Sequence, residues 1–283
     1  MSKVFDFSGR EDCEETIQKN WKEFREALRM NLFSFNEVEK AKETTFLNAY
    51  DNMFCQYPEY NTTTLKAIDK CVFGRGSVLK ENEALNYERF IPKKEFIKDD
   101  NRFSPPKVEW LYLALGNEED IHKCAQAECR AKKGDRFGFC HFDFNKDSLE
   151  LKLVDLTIAD DVSYRELDRS LENHAQLFKK IVAIIGTTES NVNVVTKKIE
   201  REFVKYIVYI YSKLLSEQIF VPLRDNDNKK IMYAPFQTLA QYYISLGYAG
   251  IIYGSTVSDT GRNIVLFDKN AAYPVGSIED YMV

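Results

Sequence analysis

The sequence predicts a mixed α and β protein of the α+β class. Three observations carry this. First, residues 14–30 place Ile17, Trp21, Phe24 and Leu28 at helical spacing, and residues 191–217 do the same with Phe203, Ile207, Ile210 and Leu214 among others. Second, short apolar runs at residues 110–115, 249–253 and 264–267 are bounded by glycine or polar residues, as buried strands are. Third, 44% hydrophobic residues, with 20 phenylalanines and 16 tyrosines, supply a large core without metal or disulfides. At 283 residues the chain exceeds a typical single domain and suits one domain with an appendage.

Taken in order, residues 14–30 form an amphipathic helix. Ser34 and Glu37 fit a capping box, with a second helix running to about Met53 before Tyr57-Pro58 breaks it. The two helices form a hairpin of their own or pack on the rest. Residues 65–71 give a helical turn, and residues 72–77 a strand ending at Gly74 and Gly76. A long loop follows to residue 101, anchored by Phe90-Ile91-Pro92. After the strand at 110–115, residues 118–130 form a helix with Asn117 as N-cap and Glu118, Glu119 and Asp120 at its positive end. Residues 137–144 and 149–156 read as a hairpin joined by Asn145-Lys146-Asp147; His141 and Asp143 share one face, His141 as an ordinary packed or exposed residue.

Helices follow at 164–184 and 191–217, with a turn at 185–188 between them. Residues 219–221 read as a strand and 224–228 as a loop. That loop has the look of a calcium-loop fragment but lacks the glycine and distal glutamate. Pro235 suits the first turn of a helix ending at Ser245, and Gly247 stops it in a left-handed conformation. Two strands then flank a polar turn in which Gly254-Ser255-Thr256 presents a hydroxyl at a strand end.

A net charge of −5 and a pI near 5.5 weigh against direct nucleic-acid binding, while leaving room for a local basic pocket for a phosphate-bearing ligand. Six cysteines with no CxxC pair, and three histidines, point away from zinc and towards reduced thiols in the cytoplasm. No signal peptide and no membrane-spanning stretch is predicted.

Several residues are candidates for chemistry. Arg75 and Arg102 lie at strand ends or in loops beside small residues; guanidinium pairs hold pyrophosphate, though two surface arginines read the same way. Alternation puts Tyr112 with Ala114 opposite Leu111 and Leu113, as a ring to stack on a heterocycle or as a core tyrosine. Glu128 stands among alanines on a helix, facing a cleft or solvent. In a cleft it would stabilise positive charge at a sugar carbon. Ser255 hydrogen-bonds a ribose hydroxyl or the acid working on it, or is a plain turn serine.

The order of Arg102-Phe103-Ser104-Pro105-Pro106, Leu111-Tyr112-Leu113-Ala114, Ala125-Gln126-Ala127-Glu128, the stretch 151–157 ending Asp155-Leu156-Thr157, and the segment 233–268 resembles the RES-domain family. The family pattern runs roughly RFxPPG, LYLA, A.AE, L.V.DLT, Q.LA..I, G.DGI.YPS, N.VLF. The resemblance covers about residues 71–268. It implies an ADP-ribosyltransferase-like split β-sheet core flanked by helices (71–283), preceded by an N-terminal helical extension (1–70). It further implies an enzyme that cleaves the nicotinamide–ribose bond of NAD by hydrolysis or phosphorolysis, acting as the toxin of a toxin–antitoxin pair. NAD is then substrate, inorganic phosphate a possible acceptor and an antitoxin a partner; no cofactor and no metal are called for. By the same resemblance Arg75 and Arg102 bind the NAD phosphates, Tyr112 contacts nicotinamide or its ribose, and Glu128 is the essential acid. Ser255 completes a catalytic set with Glu128 and Arg75. Two alternatives share the site: a protein mono-ADP-ribosyltransferase, and an inactive fold kept for interaction. The chain departs from the pattern at Lys107, where a glycine is usual, and at Gly254, where a proline is usual. Arg89 competes with Arg75 as the first family arginine.

Overall fold

Two glycines decide the shape of the sheet. In the computed structural model, residues 13–185, 189–221, 227–255 and 261–283 are described. The strand β2 (Val72–Leu79) does not end at its glycines but runs through them. A Cβ on Gly74 would lie 2.1 Å from the ring of Phe139, and one on Gly76 2.1 Å from the ring of Phe137. Aromatic rings of the neighbouring strand therefore lie directly on the β2 backbone, which only glycine permits.

The other strands are β1 (Thr62–Thr64), β3 (Leu111–Gly116), β4 (Arg136–Phe144), β5 (Lys152–Asp155), β6 (Gly250–Gly254), β7 (Arg262–Leu266) and β8 (Ala272–Met282). They form one sheet in the order β1-β5-β6-β7-β3-β2-β4-β8. Only β5 and β6 pair in parallel. β2 pairs with β3 over Val72–Gly74 alone and then follows β4 as far as Leu79. The sheet is continuous in its hydrogen bonds but splays beyond Gly74, and the wedge between β2 and β3 is the cleft described below.

The helices are α1 (Cys13–Arg29), α2 (Val38–Lys42), α3 (Thr45–Gln56), α4 (Glu118–Glu128), α5 (Tyr164–Ile185), α6 (Glu189–Phe220) and α7 (Lys229–Ser245). The α+β class is thus as the periodicities predict. Asn117 caps α4 by accepting from the Asp120 N–H at 2.9 Å. Gly247 ends α7 with φ +83°.

Four further local expectations are corrected. β4 and β5 are not a hairpin: both edges of β4 are taken by β2 and β8, and β5 pairs with β1 and β6. β8 itself lacks an apolar alternation that would announce it, because Pro274, Gly276 and Ser277 interrupt it. Residues 219–220 end α6, where buried Ile219 continues the helix's apolar face. Pro235 sits inside α7 rather than at its start, since Asn228 caps the helix earlier by accepting from the Lys230 N–H. The helix expected to reach Met53 breaks at Glu43, where Thr44 caps α3. The turn at 186–188, Thr256 and residues 224–226 lie outside the described residues.

Among the described residues, 13–70 have no core of their own. Trp21 of α1 packs on Phe46 of α3 at 5.0 Å and on Phe236 of α7 at 5.7 Å, and Phe46 meets Tyr211 of α6 at 5.7 Å. The Trp21 indole donates to Gln218 Oε1 at 3.0 Å. These helices share one buried cluster with Ile251 of β6 and Val265 of β7, and β1 adds a strand to the sheet from the same segment.

Candidate active site

The wedge between β2 and β3 is a cleft of about 250 Å³. Its floor is the backbone of Gly74 and Gly76, with Arg75 between them. Alternation on β3 turns Tyr112 and Ala114 into it, with the C-terminal turn of α4, Tyr253 and Asn263 as further walls.

Glu128 is the last residue of α4 and is exposed to the cleft. The C-terminus of a helix is an unfavourable place for a carboxylate, because the helix dipole is negative there. Two donors offset this. Ser255 Oγ donates to Glu128 Oε1 at 3.0 Å, and Asn263 Nδ2 donates to the same oxygen at 2.7 Å. Asn263 is buried, and its own Oδ1 takes the Cys124 thiol at 3.4 Å, which orients the amide. No described residue donates to Oε2, so one carboxylate oxygen is fixed and the other is left for a ligand.

Arg75 is half-buried, yet its Nη1 is buried with no hydrogen-bond partner. Burial pulls its pKa below the ordinary arginine value. An uncompensated guanidinium in a cleft costs stability until an anion arrives.

The aromatic walls are held from behind. The Tyr112 hydroxyl bonds Ser104 Oγ at 2.9 Å, and burial pushes its pKa up. Tyr253 packs edge-on against Phe103 at 4.9 Å. Cys129 lines the cleft with its thiol pushed up to about 11 by burial, so it is neutral near pH 7. Gln237, buried on α7, donates to Asp100 Oδ1 at 3.0 Å and to the Asn101 carbonyl at 3.2 Å, and so fixes the loop that carries Asn101 into the cleft.

Of the five residues singled out from the sequence, the structure brings Arg75, Tyr112 and Glu128 into the cleft, with Ser255 gripping Glu128. It does not bring Arg102 there. The Arg102 guanidinium donates to the Ile219 carbonyl at the end of α6, lies over the Tyr233 ring at 5.3 Å, and faces a separate small pocket with Arg25 and Gln218. Arg89 is also outside, paired with Glu83 at 2.6 Å. Lys107 adopts φ +68°, the left-handed conformation that the family's usual glycine would favour. Sequence reasoning assigned no role to Asn263, Tyr253 or Gln237. Asn263 and Gln237 stand at the N of N.VLF and the Q of Q.LA, so the pattern itself carried the signal.

No family model matches the chain, and no curated protein matches it. A solved structure, the MbcT–MbcA toxin–antitoxin complex of M. tuberculosis, aligns over 82% of this chain and 93% of that one, at 9% identity and a TM-score of 0.36. A likeness that distant carries no argument about function. Among the described residues no helix is long and apolar enough to cross a membrane.

Proposed function

We propose that the cleft binds the nicotinamide–ribose end of NAD and breaks the bond between them, and that the protein acts as the toxin of a toxin–antitoxin pair. The observation that carries the enzymatic reading is Glu128: one oxygen is gripped by Ser255 and Asn263, the other takes no hydrogen bond from a described residue, and the same cleft holds Arg75, whose buried Nη1 has no partner. The toxin role and an antitoxin partner rest on the RES-domain resemblance alone.

At about 250 Å³ the cleft is below the usual range for drug-sized ligands, so it takes one end of the dinucleotide rather than all of it. The flat nicotinamide lies against the aromatic walls, and Arg75 takes a pyrophosphate oxygen. As the ribose–nicotinamide bond breaks, its electron pair goes to the ring nitrogen and cancels the ring's positive charge. Positive charge then develops on the ribose carbon, where the fixed Glu128 carboxylate stabilises it. Water or phosphate adds to that carbon and releases a proton. The products are nicotinamide and ADP-ribose, or its 1-phosphate.

The test is NAD turnover by the full chain with and without phosphate, beside Glu128→Gln. Loss of NAD that depends on Glu128 supports the reading, and phosphate dependence names the acceptor. Transfer of label from NAD to protein without free ADP-ribose would replace it by protein mono-ADP-ribosylation. A folded, partner-free chain that neither consumes NAD nor labels protein overturns it.

A further inference from the structure

A second group of polar side chains lies at the other end of α4, and the nicotinamide chemistry makes no use of it. Glu118 and His122 are one helical turn apart on α4 and so share a face. His141 comes from β4 and Glu279 from β8. One ligand atom from each of these four residues lies within 4.8 Å of all the others. His122 Nε2 is 3.6 Å from Glu118 Oε1 and 3.6 Å from Glu279 Oε1. His141 presents its ring edge to both carboxylates, Nε2 at 2.7 Å from Glu118 and Nδ1 at 3.8 Å from Glu279.

We propose that Glu118, His122, His141 and Glu279 form a binding site for a divalent transition-metal ion of the zinc type. Four nitrogen and oxygen ligands about 2.0–2.2 Å from a tetrahedral zinc stand roughly 3.3–3.5 Å from one another. The two His122 separations are already close to this, and the His141–Glu118 contact, at 2.7 Å, needs to open by roughly 0.6–0.8 Å. Two imidazoles with two carboxylates suit zinc better than calcium or magnesium, which prefer oxygen alone. Neither carboxylate is paired with a lysine or arginine among the described residues, so the two negative charges meet only imidazoles.

The surroundings support the ligands as a metal site's would. His122 Nδ1 is 3.2 Å from the Tyr281 hydroxyl, which accepts from Gln126 Nε2 at 3.0 Å. With its Nδ1 proton directed to Tyr281, His122 turns the Nε2 lone pair towards the carboxylates. Phe139 stacks on the His122 ring at 3.9 Å and fixes its plane. The β4–β8 ladder shifts register here: Phe139 pairs with Glu279 but His141 pairs with Val275, so β8 bulges over residues 276–278 and Glu279 is carried towards His141. Cysteine spacing says nothing of such a site, because its ligands come from three elements distant in the chain. Glu128 is ten residues further along α4, about 15 Å by helical rise, so the metal would be structural, pinning the first turn of α4 to β4 and β8.

The experiment uses the full chain without a histidine tag, stripped with chelator and titrated with zinc alone by calorimetry, with thermal melting in parallel. One zinc per chain and a raised melting temperature are expected. Tyr281→Phe should weaken zinc binding about 10–100-fold while leaving stoichiometry at one. His122→Gln and, on the exposed edge strand, Glu279→Gln should each abolish saturable binding with an unchanged circular dichroism spectrum; Glu279→Gln decides the matter if His122→Gln fails to fold. No saturable zinc binding by the parent chain overturns the proposal. So does one retained zinc in Glu279→Gln, or a cobalt-loaded chain whose spectrum shows thiolate charge transfer.

Discussion

The face of the molecule covered by α1, α3, α6 and α7 and the cleft between β2 and β3 are both rich in buried aromatic rings, but they differ in the polar groups they leave unmatched. Under the helices, the Tyr50 and Tyr243 hydroxyls bond each other at 2.7 Å, and the Tyr242 hydroxyl bonds Asp51 at 2.8 Å. In the cleft, Arg75 Nη1 is buried with nothing to bond, and Glu128 sits at the wrong end of a helix for its charge. Ser212 and Ser216 of α6, and Asn61 just before β1, are also buried with side-chain atoms that have no partner, but these groups are neutral, whereas the one in the cleft belongs to a guanidinium. On the proposed function, the cleft is where stability is given up for binding.

This contrast is open to direct attack. The largest effect should come from the covered face. Phe46 is fully buried and meets the rings of Trp21, Phe24, Tyr50 and Tyr211. Phe46→Ala should cost about 3–5 kcal/mol in denaturant unfolding. A loss near zero would mean that α1 and α3 are an appendage after all. Next, Glu128→Gln should lower NAD turnover by about 10²–10³-fold, the range for removing a preorganised electrostatic group, with the unfolding midpoint unchanged. A coincident loss of stability would make Glu128 a structural residue. Arg75→Met sharpens the contrast most, because its two readouts should diverge. Removing an unpaired buried charge should leave stability equal or higher. Losing one charge-assisted hydrogen bond, worth about 1.5–3 kcal/mol, should raise KM for NAD roughly 10–100-fold. If Arg75→Met destabilises the fold instead, the cleft resembles the covered face and the comparison fails. Lys107→Gly is a smaller case. It relieves a left-handed non-glycine residue but loosens the unfolded chain, for a net gain of up to about 1 kcal/mol.

Much of the α+β fold was legible because its signals are local. The cap at Asn117, the stop at Gly247, the strands β3, β6 and β7, and the alternation that turns Tyr112 into the cleft each depend on a few adjacent residues. What was not legible depends on pairing at a distance. β4 was assigned to its sequence neighbour because nothing in residues 272–282 announces the strand that takes its outer edge. The glycines of β2 were read as a stop because the rings of Phe137 and Phe139 that need them arrive from 60 residues further on. Arg102 sat beside the same motif as Tyr112, but its place was decided by the carbonyl at the end of α6. The grip on Glu128 joins one helix to two strand ends far along the chain, so the acid and the asparagine of N.VLF each stand in the pattern, but their pairing was not visible.

The smallest effect belongs to a half-exposed ion pair at the start of α2. Glu37 reaches back to the Ser34 N–H at 2.8 Å, as the capping box predicts, but Ser34 is not the N-cap: Glu37 itself takes that place before α2, and the Ser34 hydroxyl donates to its carboxylate at 2.8 Å while Lys40 pairs with it at 2.5 Å. Lys40 first, then the two Ser34 donors, pull its carboxyl from the ordinary 4.5 down to about 2. A carboxyl depressed in the folded state stabilises it while ionised. That contribution is complete above the unfolded value of 4.5 and is lost as pH falls through it towards about 2. Wild type should therefore melt slightly above Glu37→Gln at pH 7, the gap should close as the pH is lowered across this window, and salt should narrow it at every pH. A gap that persists unchanged at the acid end would show that Glu37 acts by packing rather than by charge, and would place this turn with the covered face instead of apart from it.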